Sequence, residues 1–160
     1  MIDIDIDRAK ALVNELIAER GADYVYEKEG SSCKYVHGVG YDEDEWGDGE
    51  ENFSKATPGC LVGAVLHKAG VPLESMGTYS RNDEGSYDLI EHLTADELVH
   101  VSQEANNFLG NVQASQDAGA PWGLAAEKAA QGMILDRTYD YSVSPAVAGP
   151  LTEREGSPVA

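Results

Sequence analysis

The stretch TPGCLVGAVLHKAGVP, residues 57–72, carries the densest local signal in this chain. Thr57 suits a helix N-cap, Pro58 suits the first turn and Gly70 suits the C-cap, so the residues predict a helix over 57–69. At about 100° per residue, Leu61, Val62, Val65, Leu66 and Ala69 fall on one side. Cys60, Gly63, Ala64 and His67 fall on the other, which is mostly small. A glycine inside a helix costs about 1 kcal/mol relative to alanine. Gly63 therefore argues for close approach by a neighbouring segment, and the helix is expected to lie between two layers.

Cys60 decides whether chemistry is expected here. A thiol in the first turn of a helix meets unpaired N–H groups and the positive end of the dipole, which lowers its pKa. His37, His67, His92 or His100 could then serve as base. His67, however, sits roughly 10 Å along the helix axis from Cys60, and no spacing points to another partner. The expectation is a small apolar spacer, with a thiol-dependent enzyme using Cys60 as the alternative. Zinc is disfavoured. Cys33 and His37 would be about 13 Å apart on an extended strand, whereas a tetrahedral site needs its donors within about 2.3 Å of one ion. There is no Gly-rich phosphate loop, nucleophile elbow or metalloprotease helix. No cofactor, metal or catalytic residue is expected.

Outward from this stretch, 160 residues imply one domain. No run approaches the roughly 20 apolar residues of a membrane span, and MIDIDIDRAK lacks the basic and apolar regions of a secretory signal. Two cysteines are too few for a disulfide framework. They read as reduced thiols, with a single bridge as the alternative. The net charge of −18 repels nucleic-acid phosphates and anionic membranes. Partners are expected to be proteins, cations or basic surfaces.

Residues 7–20 read as a helix capped by Asp7 and ended by Gly21, with Leu12, Val13, Leu16 and Ile17 at helical spacing. Residues 22–37 read as a hairpin around a Glu-Gly-Ser-Ser turn. Residues 38–56 read as an acidic loop in which seven of the ten residues from Asp42 to Glu51 are acidic. After an irregular segment, residues 92–119 read as one long helix. Thr94 and Glu97 form its capping box. Leu98, Val101, Ala105, Phe108, Leu109 and Val112 lie on its apolar face, and Gln103, Asn106, Asn107, Asn111 and Gln113 lie on its outer face. A short helix starts at Pro121, and residues 133–143 alternate as a strand, with continued helix as the alternative. Trp122 and Phe108 are expected in the core. The fold class is thus α+β: a mainly helical single domain over 1–143 with a small antiparallel sheet. Residues 144–160, rich in Pro, Gly and Ala, form an extended C-terminal arm.

The acidic loop lacks the ligand ladder of a calcium loop. It reads as a solvated charge run or as a docking site for a basic protein, one version of which is a nucleic-acid mimic. Trp46 among carboxylates favours docking, because aromatic anchors are enriched where surfaces bind. The protein-binding candidates are Asp42, Asp44, Glu45, Trp46 and Asp48, with Pro145, Pro150 and Leu151 of the arm.

Three segments, ERGADYVYEKEG…CKYV, PGCLVGAVLHKAGVPLE and VQASQDAGAPWGLAAEKA, together resemble an uncharacterised group of small proteins of actinobacteria and their bacteriophages. The resemblance spans Glu19 to about Ala129, and no activity or site residue comes with it. It implies a phage accessory protein acting in the bacterial host cytoplasm or on a particle. The most concrete expectation is a non-enzymatic minor capsid or decoration protein on the virion, with the arm and the acidic or amide-rich faces making the contacts. The arm would offer a route to homo-oligomers. The alternatives are a host-directed inhibitor and the thiol enzyme already described.

Overall fold

The computed structural model describes residues 1–29, 33–43, 45–47 and 49–135. The alternating Ile-Asp start forms strand β1 (Ile2–Ile4). Helix α1 (Ile6–Arg20) follows, with its N-cap at Asp5 rather than Asp7: Asp5 Oδ1 accepts the Arg8 N–H at 2.8 Å. Asp7 falls in the first turn, where its charge still meets the helix dipole. Ala9, Leu12, Val13 and Leu16 are buried, and Gly21 ends the helix as expected.

The hairpin expected over 22–37 does not form among the described residues. The carbonyls of Ala22 and Tyr24 instead accept the first N–H groups of another helix, from Gly123 at 2.9 Å and Trp122 at 2.8 Å. Contact between the two tyrosine-rich runs is made by a side chain: Tyr26 Oη accepts from Lys34 N at 2.8 Å and lies 3.1 Å from Lys34 O. The short strand β2 (Val36–His37) pairs antiparallel with β5 (Thr57–Pro58). Val36 is also served by an amide side chain, since its N–H donates to Asn82 Oδ1 and its carbonyl accepts from Asn82 Nδ2, both at 2.9 Å. Between β2 and β5, the acidic segment is not a loop. It is an antiparallel hairpin of β3 (Gly40–Glu43) and β4 (Gly49–Asn52).

Because Thr57 and Pro58 belong to a strand, helix α2 runs over Leu61–Ala69 and its N-cap is Cys60, not Thr57. Gly70 closes it in the left-handed conformation at φ 117°. Every residue from Leu61 to Leu66 is buried, the signature of a helix enclosed on all sides. Helices α1 and α5 pack against it. At Gly63 the neighbour is backbone: a Cβ there would lie 2.3 Å from the Tyr35 carbonyl oxygen. The close approach argued from glycine in a helix is therefore present.

After the short α3 (Leu73–Met76), the expected long helix is two helices and a strand: α4 (Ser86–Ala95), β6 (Val99–Val101) and α5 (Gln103–Asp117). Thr94 is no cap, because its hydroxyl donates back to the Ile90 carbonyl at 2.7 Å. Glu97 takes φ 60°, and the Leu98 N–H returns to the Leu93 carbonyl at 3.0 Å, closing α4 as a helix C-terminus does. Strand β6 pairs parallel with β1, placing Ile2 opposite Val99 and Ile4 opposite Val101. Ser102 then caps α5 by accepting the Ala105 N–H. Ala105, Phe108, Leu109 and Val112 occupy the buried face of α5, as their spacing predicts.

Helix α6 (Trp122–Ala130) packs on α5. Trp122 is fully buried and meets Tyr24 edge-to-face at 4.6 Å. Met133–Leu135 is irregular, with Leu135 buried beside Ala120, Leu124 and Ala125. The remainder of the expected strand and the whole arm lie outside the described residues. The result is a mainly helical α+β domain with, among the described residues, two small antiparallel pairs and one parallel pair.

Candidate binding surface

The β3–β4 hairpin sets Asp42 opposite Glu50 and Tyr41 opposite Glu51. Like charges directly opposed across strands are destabilising. Seven of its eight strand residues are exposed, Asn52 being half-buried. Within the hairpin, Asn52 Nδ2 donates to Asp42 Oδ2 at 2.7 Å. Tyr41 crosses above Gly49, where a Cβ would come within 2.5 Å of the ring. One link to the body runs from the Tyr79 N–H to Glu51 Oε1 at 3.3 Å. Phe53, just past β4, packs against Gly77. No third strand joins the pair among the described residues.

Trp46 lies in the turn of this hairpin and is 81% exposed. Of the residues expected to bind, Asp42, Glu45 and Trp46 share the exposed hairpin. Asp44, Asp48, Pro145, Pro150 and Leu151 lie outside the described residues. Two aromatic residues were not anticipated there: Tyr41, 59% exposed, and Tyr79, 93% exposed. Together with Glu29 and Glu51 they border one open groove. The hairpin was legible in principle, since GYDE and GEEN flank a Gly-containing turn; the density of acids hid the two strands.

Cys60 is completely buried. Burial pushes its thiol up to about 12, only partly opposed by the Gly63 N–H and the Gln113 side chain. The helix N-terminus thus loses to desolvation. His67 Nδ1 lies 3.1 Å from the Val71 carbonyl at the far end of α2. Tyr26 Oη, 2.5 Å from His37 Nε2, is likewise raised by burial. Cys33 is half-buried, and desolvation and the neighbouring Asp117 carboxylate push it up to about 12. Among the described residues no cluster of His, Cys, Asp and Glu could hold a metal ion, and no helix is long and apolar enough to cross a membrane.

The amide-rich face of α5 is only partly a wet surface. Gln103 and Asn107 are exposed and bonded to each other at 3.0 Å, but Gln113 is buried. Gln116, which the sequence reading passed over, is buried as well. Its Oε1 accepts both the Leu61 N–H at 2.7 Å and the Trp122 indole N–H at 3.1 Å.

Comparison with protein-family models, curated proteins and solved structures found no match to this chain.

Proposed function

We propose that this protein is a non-enzymatic binding module whose acidic hairpin docks on a basic protein surface. The observation that carries the reading is Trp46, 81% exposed in the turn of a hairpin where Asp42 opposes Glu50. In the isolated chain the opposed carboxylates cost stability, and the exposed indole is apolar surface whose burial on a partner would be favourable. A partner's arginine would act on both, stacking on the indole and pairing with the carboxylates. Tyr41 and Tyr79 supply further amphipathic contact area of the kind enriched at interfaces. The resemblance to a phage-encoded group makes a virion surface the first place to look for the partner, as a minor capsid or decoration protein would require. A basic host protein is the second.

Co-sedimentation with purified particles, and pull-down of a purified basic host protein, test this with the full chain. Trp46→Ala is expected to weaken binding by about 30-fold, a loss of roughly 2 kcal/mol typical of a buried aromatic anchor. Asp42→Asn with Glu50→Gln should weaken it further, and raising salt from 50 to 300 mM should do so in the unaltered protein. Binding that ignores both variants and salt would overturn the hairpin as the docking element.

A further inference from the structure

A second feature lies away from the hairpin. A cleft of about 410 Å³ opens between α5, the start of α4 and the segment carrying Cys33. None of the hairpin's described residues lines it, so its role is independent of the docking reading.

The cleft is rich in hydrogen-bond acceptors. Gln113, 7% exposed, lines it, and its Oε1 is shielded from water and has no hydrogen-bond partner. The bonding pattern sets the orientation of this amide, with Nε2 donating to Asp117 Oδ1 at 3.3 Å. Rotating the amide would set two acceptors face to face. Gln116 Nε2 also donates to Asp117 Oδ1, at 3.1 Å. The Cys33 thiol is a third hydrogen-bond partner of this carboxylate, and of its about four lone-pair sites one remains for a further donor. Asp83 and Glu84 add negative charge at the rim, although each has a partner, Lys34 at 3.6 Å and His92 at 2.8 Å. Against these three carboxylates the lining sets one cation, Lys28. The Tyr87 ring lies across Gly110, where a Cβ would come within 2.7 Å of it, and forms an aromatic wall. The start of α4 also borders the cleft, but Asp88 already places a carboxylate in its first turn. An anion would therefore gain little there.

A stranded buried acceptor beside a carboxylate and an aromatic ring asks for a ligand with several N–H donors and positive charge. A guanidinium presents its donors as a planar fork that can serve two acceptors at once and stack on a ring. We propose that this cleft binds a guanidinium group, with Gln113 Oε1 and the Asp117 carboxylate as its acceptors and Tyr87 as its wall. The group could belong to a small free guanidine or to an arginine side chain of a partner.

The test is an NMR titration of the isotopically labelled full chain at low salt, following the Gln113 side-chain amide and the Gly110 backbone amide. Ethylguanidinium probes the free source, N-acetylarginine amide probes the side-chain source, and N-acetylnorleucine amide is the uncharged control. Saturable shifts at both reporters are expected with at least one guanidinium probe and not with the control. Tighter binding of ethylguanidinium assigns the site to a free small guanidine, and tighter binding of N-acetylarginine amide assigns it to a partner's arginine. Asp117→Asn, a change at an exposed position, should weaken binding about tenfold, as loss of a charge-assisted hydrogen bond does. Gln113→Met, which keeps the side chain's bulk, should abolish saturation. No saturable shift at Gln113 with either probe, or equal binding by Asp117→Asn, would overturn the proposal.

Discussion

A methyl group at position 63 shows how one residue fixes the packing of α2. Alanine is intrinsically better than glycine inside a helix by about 1 kcal/mol. A Cβ on Gly63, however, would lie 2.3 Å from the Tyr35 carbonyl oxygen and 2.8 Å from its Cα. Those neighbours are backbone, and the next residue, Val36, is held on both sides by Asn82. Overpacking in a filled core costs about 1–3 kcal/mol and sometimes more. Gly63→Ala is therefore expected to lower stability by about 2 kcal/mol, read as a shift in the urea midpoint at constant m-value. Gly85→Ala makes the contrast, because nothing lies nearer than 3.5 Å to a Cβ there. It should cost less than about 1 kcal/mol, the loss associated with a poorer N-cap. Equal losses at the two positions would remove the claim that close approach selects glycine at 63.

Between elements, buried amides carry much of the specification. Gln116 Oε1 holds the first N–H of α2 and the indole of α6's Trp122 together. Gln116→Leu would strand both donors in the core, at about 1–3 kcal/mol each. A total loss of about 2–4 kcal/mol is expected in chemical denaturation, with Trp122 fluorescence changing in the native baseline. Gln131→Leu should behave in the opposite way. Its Nε2 is buried without a partner, so removing it should be neutral or stabilising, and a large loss there would contradict the bonding pattern. These amides mark where sequence reading stops. Helices α1 and α6 and the buried face of α5 were legible because their apolar spacing is local. The break at Glu97 was not, because β6 exists by pairing with β1 at the other end of the chain. Local periodicity carries no trace of that partner. The 22–37 hairpin failed for the same reason: carbonyls that a hairpin would have used serve the start of α6. At the candidate surface, Trp46 and its acids were visible as residue types. Tyr79 was not, since only the fold brings it beside Tyr41 and Glu51.

Over the whole molecule, acidic charge and a core containing protonated sulfur and phenol groups both limit stability at high pH. A net charge of −18 strains the compact state through self-repulsion, and deprotonating further groups adds to it. Cys60, ordinarily near 9.0, is pushed up to about 12 by complete burial. Desolvation raises Cys33, Tyr26 and Tyr35 in the same direction. Each raised group keeps its proton in the folded chain after the unfolded chain has lost it. The unfolded state then binds fewer protons, so stability must fall as pH rises. The contribution of the two thiols is fully present below about pH 9 and drains away through about pH 12, and that of the two phenols is lost at still higher pH. For the fully buried Cys60 alone the limiting slope is about 1.4 kcal/mol per pH unit. Urea midpoints measured under reducing conditions between pH 7.5 and 11 should decline with increasing steepness above pH 9. Cys60→Ala removes one of the titrating groups, and whatever its effect at pH 7.5, its decline with pH should be visibly shallower than that of the unaltered protein. Parallel declines would mean that the sulfur at position 60 is reached by solvent in the folded state, and the enclosed α2 on which the fold is built would have to be redrawn.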